Sequence, residues 1–480
     1  MTEHFPIMVP GAKPAERVAQ VVAPFDGTPI ATVETGDEAA AETALATAQA
    51  LFRERDAWLP AWRRVDILER AAALMHERRN HLAIEAAREG GKPLIDSKHE
   101  VARAIDGVKL CIEGIRTQHG TEVPMGITRS SVNRAAFTRL EPIGVVVAVS
   151  AFNHPLNLIV HQVGPAVAAG CPVIVKPAEN TPLSCLRLVR ILREAGLPDA
   201  WCQPIVTATR PVAEALVTDK RVGFFSFIGS AAVGWSLRAK LTPGARCALE
   251  HGGVAPVIVA ADADLDVALP KLAKGGFYHA GQVCVSVQRV FAHASIAKRV
   301  AEGLAALGAK MKVGDPTLPD TEIGPLIRPA EIERIHAWVQ EAVAGGGKLL
   351  SGGTPISATC YPATVVYDPP AAARLSTLEV FGPVICVYPY AELDDALARA
   401  NALDVAFQAA VFTGSLDTAL RCYRRLDASA VMVNDHTAFR VDWMPFAGLS
   451  VSGHGVGGIP STMHEMAVEK MMVLRSNELL

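Results

Sequence analysis

The sequence of 480 residues contains no apolar run of the roughly 20 residues that a membrane-spanning helix needs. Lysine and arginine are nowhere concentrated, and the formal net charge of −3 does not favour nucleic acid as a partner. Residues 1–6 lack the basic and apolar segments of a secretory signal. We therefore expect a cytoplasmic protein with neither a membrane nor a nucleic-acid partner.

Cysteine occurs in no pattern that suggests cross-linking or metal binding. The nine cysteines are scattered, odd in number and without a CxxC pair. This distribution is typical of reduced thiols rather than of a disulfide framework or a zinc site, so no metal is expected. Half of the residues are hydrophobic, which is typical of a packed globular protein. The length predicts two or three domains.

The order of apolar and polar segments predicts an α/β protein. Residues 1–100 are predicted to be mostly helical, with one helix over 38–53 and another over 65–88. Buried strands then alternate with helices from Ile143 onward, and Thr181 is expected to cap one of these helices. Continuous apolar strands separated by helices predict a parallel sheet covered on both faces. The alternation restarts beyond Glu250, and a second α/β domain is its simplest explanation.

Two segments fit neither sheet. Residues 121–140 and 468–474 alternate between polar and apolar side chains, as strands with one exposed face do. We expect them to pair with each other as an outlying flap that serves assembly.

Cys284 is the first candidate for chemistry. It follows glycine and glutamine in GQVC (281–284) and precedes a strand-like apolar run interrupted by Ser286. A lone cysteine is more often a buried packing residue, and this interpretation suits the other eight. A reactive cysteine needs a base or surroundings that lower the pKa of its thiol. Partners that give Cys284 a role must therefore come from elsewhere in the chain.

Two polar residues lie at predicted strand ends, where open α/β sheets bind ligands. Asn153 follows the strand over 144–149 and is either an oxyanion donor or the cap of the next helix. Glu250 precedes Gly252 and Gly253 and is a candidate general base. On its segment alone, a solvated or salt-bridged glutamate is the simpler interpretation.

Two further segments indicate a dinucleotide, although the usual GxGxxG fingerprint is missing. Lys176 and Glu179 follow a buried strand and place a cation and a carboxylate where ribose hydroxyls and a phosphate can be bound. Gly229, Ser230 and Gly234 follow the next strand and begin a helix, an arrangement that suits a pyrophosphate. Each segment alone is a weak signal.

Together and in this order, these segments resemble the aldehyde dehydrogenase superfamily over nearly the whole chain. The motifs that carry the resemblance are FNHP (152–155), KPAE (176–179), GSAAVG (229–234), EHGG (250–253), GQVC (281–284), EVFGP (379–383), PFAG (445–448) and SG (452–453). The ordered set is specific although no single motif is. The resemblance implies a non-acylating enzyme that uses NAD, with NADP as the alternative.

The resemblance also implies a chemical role for each candidate. Cys284 attacks an aldehyde, and the Asn153 amide and the Cys284 backbone N–H hold the thiohemiacetal oxyanion. Loss of hydride to the nicotinamide leaves a thioester, and Glu250 activates the water that releases the acid. Glu379 and Phe381 are expected to position the nicotinamide ribose and ring.

The adenosine half of the cofactor is assigned in the same way. Lys176 and Glu179 are expected to hold the ribose, with Gly229, Ser230 and Gly234 near the pyrophosphate. The Glu179 carboxylate would repel a 2′-phosphate, which favours NAD over NADP. In EHGG, His251 replaces the leucine that is common in the family, and we hypothesise that it alters the pKa of the neighbouring Glu250.

The implied fold is two parallel-sheet α/β domains with a small β flap for oligomerisation. The cofactor-binding domain is expected over 1–120 and 141–249, and the catalytic domain over 250–440. The flap is expected over 121–140 and 461–480. Homodimers or homotetramers are the family norm.

The substrate side is expected to be polar. His154, Asn157 and His161 share a helix face that lines the family's substrate tunnel. Arg440 stands at a tunnel position that is commonly aromatic. A polar wall with a fixed cation indicates a short polar or anionic aldehyde.

The segments 154–161 and 436–445 also resemble the phosphonoacetaldehyde dehydrogenase subgroup, in which Arg103 would be a further anion contact. Val283 stands where that subgroup is expected to carry arginine. Sulfonated, carboxylated and neutral polar aldehydes therefore stay open as substrates.

Alternatives exist for both site and function. Arg440 is equally interpreted as the partner of Asp435 or Asp442, with the histidines satisfying buried hydrogen bonds. A CoA-acylating enzyme is the first alternative function, against which Glu250 argues because acylating relatives generally lack that base. A catalytically silent structural or binding relative is the second, and the retention of Cys284 argues against it.

Overall fold

The computed structural model describes residues 3–479, so Met1, Thr2 and Leu480 lie outside the described residues, as do the ends of the predicted cofactor domain and flap. The chain begins with the strands β1 (Glu3–Phe5), β2 (Val18–Val22) and β3 (Pro29–Glu34). They form a sheet in the order β1-β3-β2. The expectation that residues 1–100 are mostly helical holds from Glu38 onward but misses these three strands, in which Ala31 and Val33 turn inward at strand spacing.

Four helices follow: α1 (Glu38–Arg53), α2 (Ala61–Glu77), α3 (Arg79–Gly90) and α4 (Leu94–Thr117). The Asp37 side chain caps α1 by accepting from the Ala40 N–H at 2.8 Å, as its position before the helix predicts. The single helix predicted over 65–88 is instead two, because the chain leaves helical geometry at Arg78 (ψ 10°). Gly91 ends α3 in the left-handed conformation (φ 73°), which glycine adopts without steric cost.

The next elements are β4 (Glu122–Val123), β5 (Arg134–Pro142), β6 (Val145–Val149), α5 (Asn157–Ala169), β7 (Val173–Lys176), α6 (Leu183–Glu194), β8 (Cys202–Pro204), α7 (Arg210–Thr218), β9 (Val222–Ile228), α8 (Ala231–Arg238) and β10 (Arg246–Glu250). Thr181 does not cap α6, because its hydroxyl faces the Phe152 carbonyl. The buried carboxylate of Glu89 accepts from the Leu183 and Ser184 N–H groups instead.

The second half contains β11 (Pro256–Val259), α9 (Leu265–Phe277), β12 (Arg289–His293), α10 (Ala297–Gly308), α11 (Pro329–Ala344), β13 (Lys348–Ser351), β14 (Thr364–Tyr367), α12 (Arg374–Thr377), β15 (Val384–Tyr390), α13 (Leu393–Ala400), β16 (Val405–Ala406), β17 (Gln408–Phe412), α14 (Leu416–Arg425) and β18 (Ala430–Val433). The chain ends with β19 (Leu449–Ser450), β20 (Gly453–His454), α15 (Ile459–Glu465) and β21 (Ala467–Arg475).

Two large sheets organise the molecule. The first has the order β20-β10-β9-β6-β7-β8, and only β20 runs antiparallel to its neighbour. The second has the order β13-β14-β15-β12-β11-β17-β18, and only β13 is antiparallel. Helices pack on the first sheet in two buried apolar cores and on the second sheet in another. The predicted fold of two parallel α/β domains is confirmed.

The chain passes between the two large sheets twice. The chain leaves the first sheet at Glu250 and enters the second at Pro256, and it returns to the first sheet at β20. The strand β21 (467–475) pairs antiparallel with β5 (134–142), and β4 pairs with the other edge of β5 to complete a separate small sheet of three strands. Residues 461–465 lie in α15, which packs on α4 and α5, so this part of the predicted flap is helical.

The role of the small sheet in assembly stays a prediction. Among residues 3–479, no helix combines the length and the apolar character needed to span a membrane.

Candidate active site

Cys284 lies on a tightly held loop between α9 and β12. His279, Ala280 and Gly281 all adopt positive φ angles (48°, 53° and 68°), so the chain reverses sharply before the cysteine. A side chain at Gly281 would overlap the Gly382 carbonyl, which explains the glycine of the GQVC motif. The residues after Cys284 form a turn rather than the expected strand, and β12 begins only at Arg289.

Gln282 anchors this loop to the catalytic domain. Its side-chain oxygen accepts from the Ile327 N–H at 3.0 Å, and its side-chain nitrogen donates to the Pro325 carbonyl at 3.2 Å. Thr437 also donates to the Val285 carbonyl at 2.6 Å. Hydrogen bonds on both sides of Cys284 therefore fix the position of its sulfur.

Asn153 approaches the same loop from the first domain. It lies between β6 and α5, it is buried, and its side-chain nitrogen donates to the Gln282 carbonyl at 2.9 Å. The amide has a second N–H, which is available for an oxyanion. Asn153 is thus not the cap of α5.

A buried ion pair between Glu100 and Lys92 holds the chain directly after the Asn153 segment. Glu100 accepts from the Leu156 and Asn157 N–H groups, each at 2.9 Å, and so satisfies the beginning of α5. Its other oxygen binds Lys92 at 2.5 Å, and the side chains of both residues are 1% exposed. Nothing in the local sequence of 92–100 indicates this role.

Glu250 ends β10, beside Ile228 of β9 and Gly453 of β20. It lines one cavity of about 910 Å³ together with Cys284 and Asn153. Burial raises the pKa of Glu250, and the charge of Arg440 partly offsets the effect. A carboxyl group with a raised pKa beside a thiol suits proton transfer near neutral pH.

The thiol itself is neutral in the ligand-free protein. Burial raises the pKa of Cys284 well above its usual value, the Glu250 carboxylate raises it further, and Arg440 acts in the opposite direction. Since the thiolate is the nucleophile, Cys284 needs a proton acceptor. Glu250 lines the same cavity as Cys284 and is the carboxylate that the resemblance assigned as the base.

Glu379 and Phe381 also line the cavity. The Glu379 carboxylate lies against Gly252, where any side chain would overlap it, and its Oε1 is buried without a hydrogen-bond partner. Burial raises the pKa of Glu379 to about 8. A buried oxygen without a partner is satisfied when a hydroxyl group binds there, and the ribose of a nicotinamide dinucleotide supplies one.

The loop 229–234 after β9 extends the cavity toward the other half of such a cofactor. Gly229 and Ser230 line the cavity, whereas Gly234 lies behind them in the first turn of α8. Lys176 and Glu179 do not line it; they lie at the end of β7, with Lys176 Nζ 3.8 Å from the exposed carboxylate of Glu179. A helix N-terminus and a cation suit a pyrophosphate, and an exposed carboxylate can accept from ribose hydroxyls. These residues therefore fit a dinucleotide.

The predicted substrate residues divide into two groups. His154, Asn157, Arg103 and Arg440 line the cavity, whereas His161 lies just behind it. His154 shares a 2.9 Å hydrogen bond with the hydroxyl of Tyr278, a cavity residue that no sequence motif indicated.

Asp442 organises the others and was missed as a site residue. It accepts from Arg103 at 2.6 and 3.1 Å, from His161 at 2.7 Å and from Asn157 at 3.2 Å. Burial disfavours its charge, but the bonds from His161 and Arg103 hold the pKa of Asp442 well below its usual value. The charge of Arg103 is therefore largely neutralised before any substrate binds.

Arg440 has no such partner. Asp435 binds Lys271 instead, and no carboxylate of residues 3–479 lies within salt-bridge distance of Arg440. Its guanidinium lies 3.5 Å from the centroid of the Phe446 ring, and its Nε is buried without a hydrogen bond. Burial and the charge of Arg440 lower the pKa of His161 to about 4, so this histidine is neutral and its Nδ1 can accept from Arg440.

The fold and the cavity with its candidate residues together indicate an oxidoreductase. The chain belongs to the aldehyde dehydrogenase family, whose model matches residues 11–472. It is an NAD(P)-dependent aldehyde dehydrogenase, as the resemblance of its motifs implied.

Three similar proteins illustrate the family. The 3-sulfolactaldehyde dehydrogenase of Priestia aryabhattai is 38% identical over 414 residues, which cover 86% of each chain. The structure of aldehyde dehydrogenase 21 from Physcomitrella patens with its reaction product succinate has a TM-score of 0.95 at 33% identity and covers all of both chains. The structure of glyceraldehyde-3-phosphate dehydrogenase from Methanocaldococcus jannaschii with NADP has a TM-score of 0.91 at 32% identity, covering 96% of this chain and 100% of that one.

Proposed function

We propose that the protein oxidises a short anionic aldehyde to its carboxylic acid through a thioester on Cys284. The observation that carries the proposal is one cavity lined by a thiol, an amide donor, a partly buried carboxylate and an arginine without a carboxylate partner. These four groups are Cys284, Asn153, Glu250 and Arg440. Together they supply a nucleophile, an oxyanion site, a base and an anion site.

The first half of the reaction uses the loop around Cys284. Glu250 accepts the thiol proton, and the sulfur attacks the aldehyde carbon to form a thiohemiacetal. The free N–H of Asn153 and the Cys284 backbone N–H hold the oxyanion; one such donor typically contributes about 10²–10³ in rate. The dinucleotide, when bound, supplies the hydride acceptor, which Glu379 and Phe381 would hold by its ribose and ring.

The second half uses Glu250 as a base for water. Loss of hydride from the thiohemiacetal leaves a thioester on Cys284. After Glu250 has passed the thiol proton to solvent, it takes a proton from water as the water attacks the thioester carbonyl. The tetrahedral intermediate then releases the carboxylic acid, and Glu250 returns the proton to the departing Cys284 sulfur. The raised pKa of Glu250 suits this exchange of protons.

The exposed carboxylate of Glu179 supports a preference for NAD. Its position 3.8 Å from Lys176 fits hydrogen bonds to the ribose hydroxyls. A 2′-phosphate at that place would meet a like charge, and this repulsion disfavours NADP. NADP remains the alternative, since the structural relative from Methanocaldococcus jannaschii binds it.

The charge balance of the cavity supports an anionic substrate. Asp442 neutralises Arg103, so Arg440 is the cation whose charge is left for a ligand. Arginine binds carboxylate, sulfonate and phosphate oxygens through a planar set of donors. Among the similar proteins, one is named for a sulfonated aldehyde, one for a phosphorylated aldehyde, and one was solved with the carboxylate succinate as its product. Others are named for the neutral lactaldehyde and the cationic betaine aldehyde, so the proposal rests on the cavity of this chain and not on the names.

The test is NADH formation with pairs of aldehydes of equal length, one anionic and one neutral. We expect Cys284→Ala to abolish turnover of both. Arg440→Ala should lower kcat/KM for the anionic member by about 30-fold or more and for the neutral member by no more than about 3-fold, because only the former loses a charged hydrogen bond. Arg440→Lys keeps the charge but loses the planar set of donors. Its kcat/KM for the anionic aldehyde should therefore lie between those of wild type and Arg440→Ala.

Equal losses on both aldehydes would contradict the anionic substrate while leaving aldehyde oxidation intact. No turnover of any aldehyde with NAD or NADP would favour the catalytically silent alternative. Formation of acyl-CoA in the presence of CoA would favour the acylating one.

A further inference from the structure

The His251 ring bonds to the loop after β9 and not to the carboxylate of Glu250, beside which the sequence places it. Its ring Nδ1 lies 2.9 Å from the Gly229 carbonyl oxygen, and the ring is 2% exposed. The groups that shift the pKa of Glu250 are burial and two arginines, not this histidine. The hypothesis that His251 tunes the base therefore has no support in these contacts, and its neighbours suggest another role.

Both the N–H and the carbonyl of Gly229 are hydrogen-bonded to residues at the end of β10. The Gly229 N–H donates to the Glu250 carbonyl at 3.0 Å, and its carbonyl accepts from the His251 ring. Burial lowers the pKa of His251, so the ring is neutral and carries its proton on the Nδ1 that donates to Gly229. The loop 229–234 is thus attached to the end of β10 by two hydrogen bonds.

The same ring fills the space above Gly234. A Cβ at Gly234 would overlap the His251 ring atoms, so glycine and histidine fit together at this place. Phe227 and Trp235 flank the ring, with centroids at 5.6 and 5.9 Å. His251 therefore contacts the strand before the loop, the loop itself and the first two turns of α8.

We propose that His251 is a positioning residue for the dinucleotide, which holds the loop 229–234 so that its N–H groups face the pyrophosphate. The inference rests on the proposed function, because it takes this loop as the pyrophosphate site. A loop that is ordered before binding costs less conformational entropy when the ligand arrives. Loss of the ring should therefore weaken dinucleotide binding without changing the reactivity of Cys284.

Two substitutions separate the hydrogen bond from the volume of the ring. His251→Leu keeps an apolar side chain of the kind common in the family and removes the bond to Gly229. His251→Asn keeps an N–H donor near the place of Nδ1. Because an unpaired buried carbonyl is costly, we expect His251→Leu to raise the Kd for NADH about 5- to 10-fold and His251→Asn to raise it no more than about 3-fold.

The binding measurement is titration of the ligand-free protein with NADH, followed by fluorescence or calorimetry. Alkylation of Cys284 by iodoacetamide without cofactor reports on the rest of the site and should stay within about 2-fold of wild type in each variant. His336→Leu on α11, outside the cavity, is the matched control for a change of histidine to leucine. An unchanged Kd in His251→Leu, or an equal loss of alkylation, would overturn the proposal.

A double-mutant cycle tests the contact with Gly234. Gly234→Ala should weaken NADH binding about 10-fold in the wild type, because the new methyl group displaces the histidine ring. In the His251→Ala background the same change should cost no more than about 3-fold. Additive losses would overturn the inference. If the wild type binds neither NADH nor NADPH, the proposed function itself fails, and this result differs from binding that is insensitive to His251.

Discussion

Arg103 and Asp442 are joined by two hydrogen bonds, from Nε at 3.1 Å and from Nη2 at 2.6 Å, although 339 positions separate them in the chain. This pair fastens the loop that carries Arg440 to α4 of the first domain. The same carboxylate also binds His161, so one acidic side chain connects three basic residues around the substrate cavity. The orientation of Arg440 therefore depends on a residue that does not face the substrate.

Asp442→Asn should destabilise the protein by about 2–4 kcal/mol, because it leaves the Arg103 charge partly buried without its partner. The measurement is urea unfolding near neutral pH. The matched control is Asp106→Asn, which breaks the exposed pair of Asp106 with Lys109 and should change stability by less than about 1 kcal/mol. Equal effects of the two substitutions would contradict the role given to Asp442.

The same residue predicts a pH dependence of stability. The pKa of Asp442 is held below its usual value, so its contribution is complete above the pKa of an unfolded aspartate, about 3.9. It is lost as the pH falls from there toward the folded pKa. Wild type should therefore lose stability between about pH 5 and pH 3 more steeply than Asp442→Asn. Parallel curves would show that another acid dominates this range.

Much of the chemistry could be predicted from the sequence because it lies in short motifs. Cys284, Glu250 and Glu379 each lie within three residues of a glycine at which a side chain would overlap its surroundings, and these glycines belong to the same short motifs. The alternation of strands and helices in the two large sheets is likewise a local pattern, because fully buried parallel strands are continuously apolar. Such local patterns can be recognised from a single sequence.

Asp442, Tyr278 and Glu100 could not be found in this way. Each acts through a side chain that meets its partner only after folding: Asp442 meets Arg103 of α4, and Tyr278, which follows α9, meets His154, which precedes α5. The charged residues themselves carry no periodicity that marks them as buried. The N-terminal sheet was missed for a related reason, since its strands are of three to six residues and alternate too briefly to outweigh the helices that follow.

Glu250→Gln should separate the two halves of the reaction. The thioester can form slowly but is not hydrolysed without the base, so kcat should fall by about 10²–10⁴ while one equivalent of NADH still appears in a first turnover. Mass spectrometry of the quenched enzyme should find the acyl group on Cys284. A loss of the first turnover as large as the loss of kcat would assign Glu250 to thiol activation alone.

Glu100→Gln should impair catalysis through Asn153. Glu100 satisfies the first N–H groups of α5, directly after the segment that carries the oxyanion donor. Glu89 does the same for α6 and is equally buried, but α6 carries no catalytic residue, so Glu89→Gln is the matched control. Both substitutions should lower the melting temperature, and only Glu100→Gln should lower kcat, by about 10-fold or more if the amide shifts. Equal changes in kcat would exclude a specific role for Glu100.

The small sheet offers a test of the predicted homo-oligomer. β21 is an edge strand of this sheet, and Met471, Met472, Val473 and Leu474 are each about half exposed. An edge with unpaired backbone groups and apolar side chains is a site at which another chain can pair. If this edge serves assembly, the double substitution Met472→Glu and Leu474→Glu should convert dimers or tetramers to smaller species in light scattering after size exclusion. Ile84→Glu, at an exposed apolar position on α3, should leave the assembly unchanged, and a wild-type protein that is already monomeric would contradict the prediction.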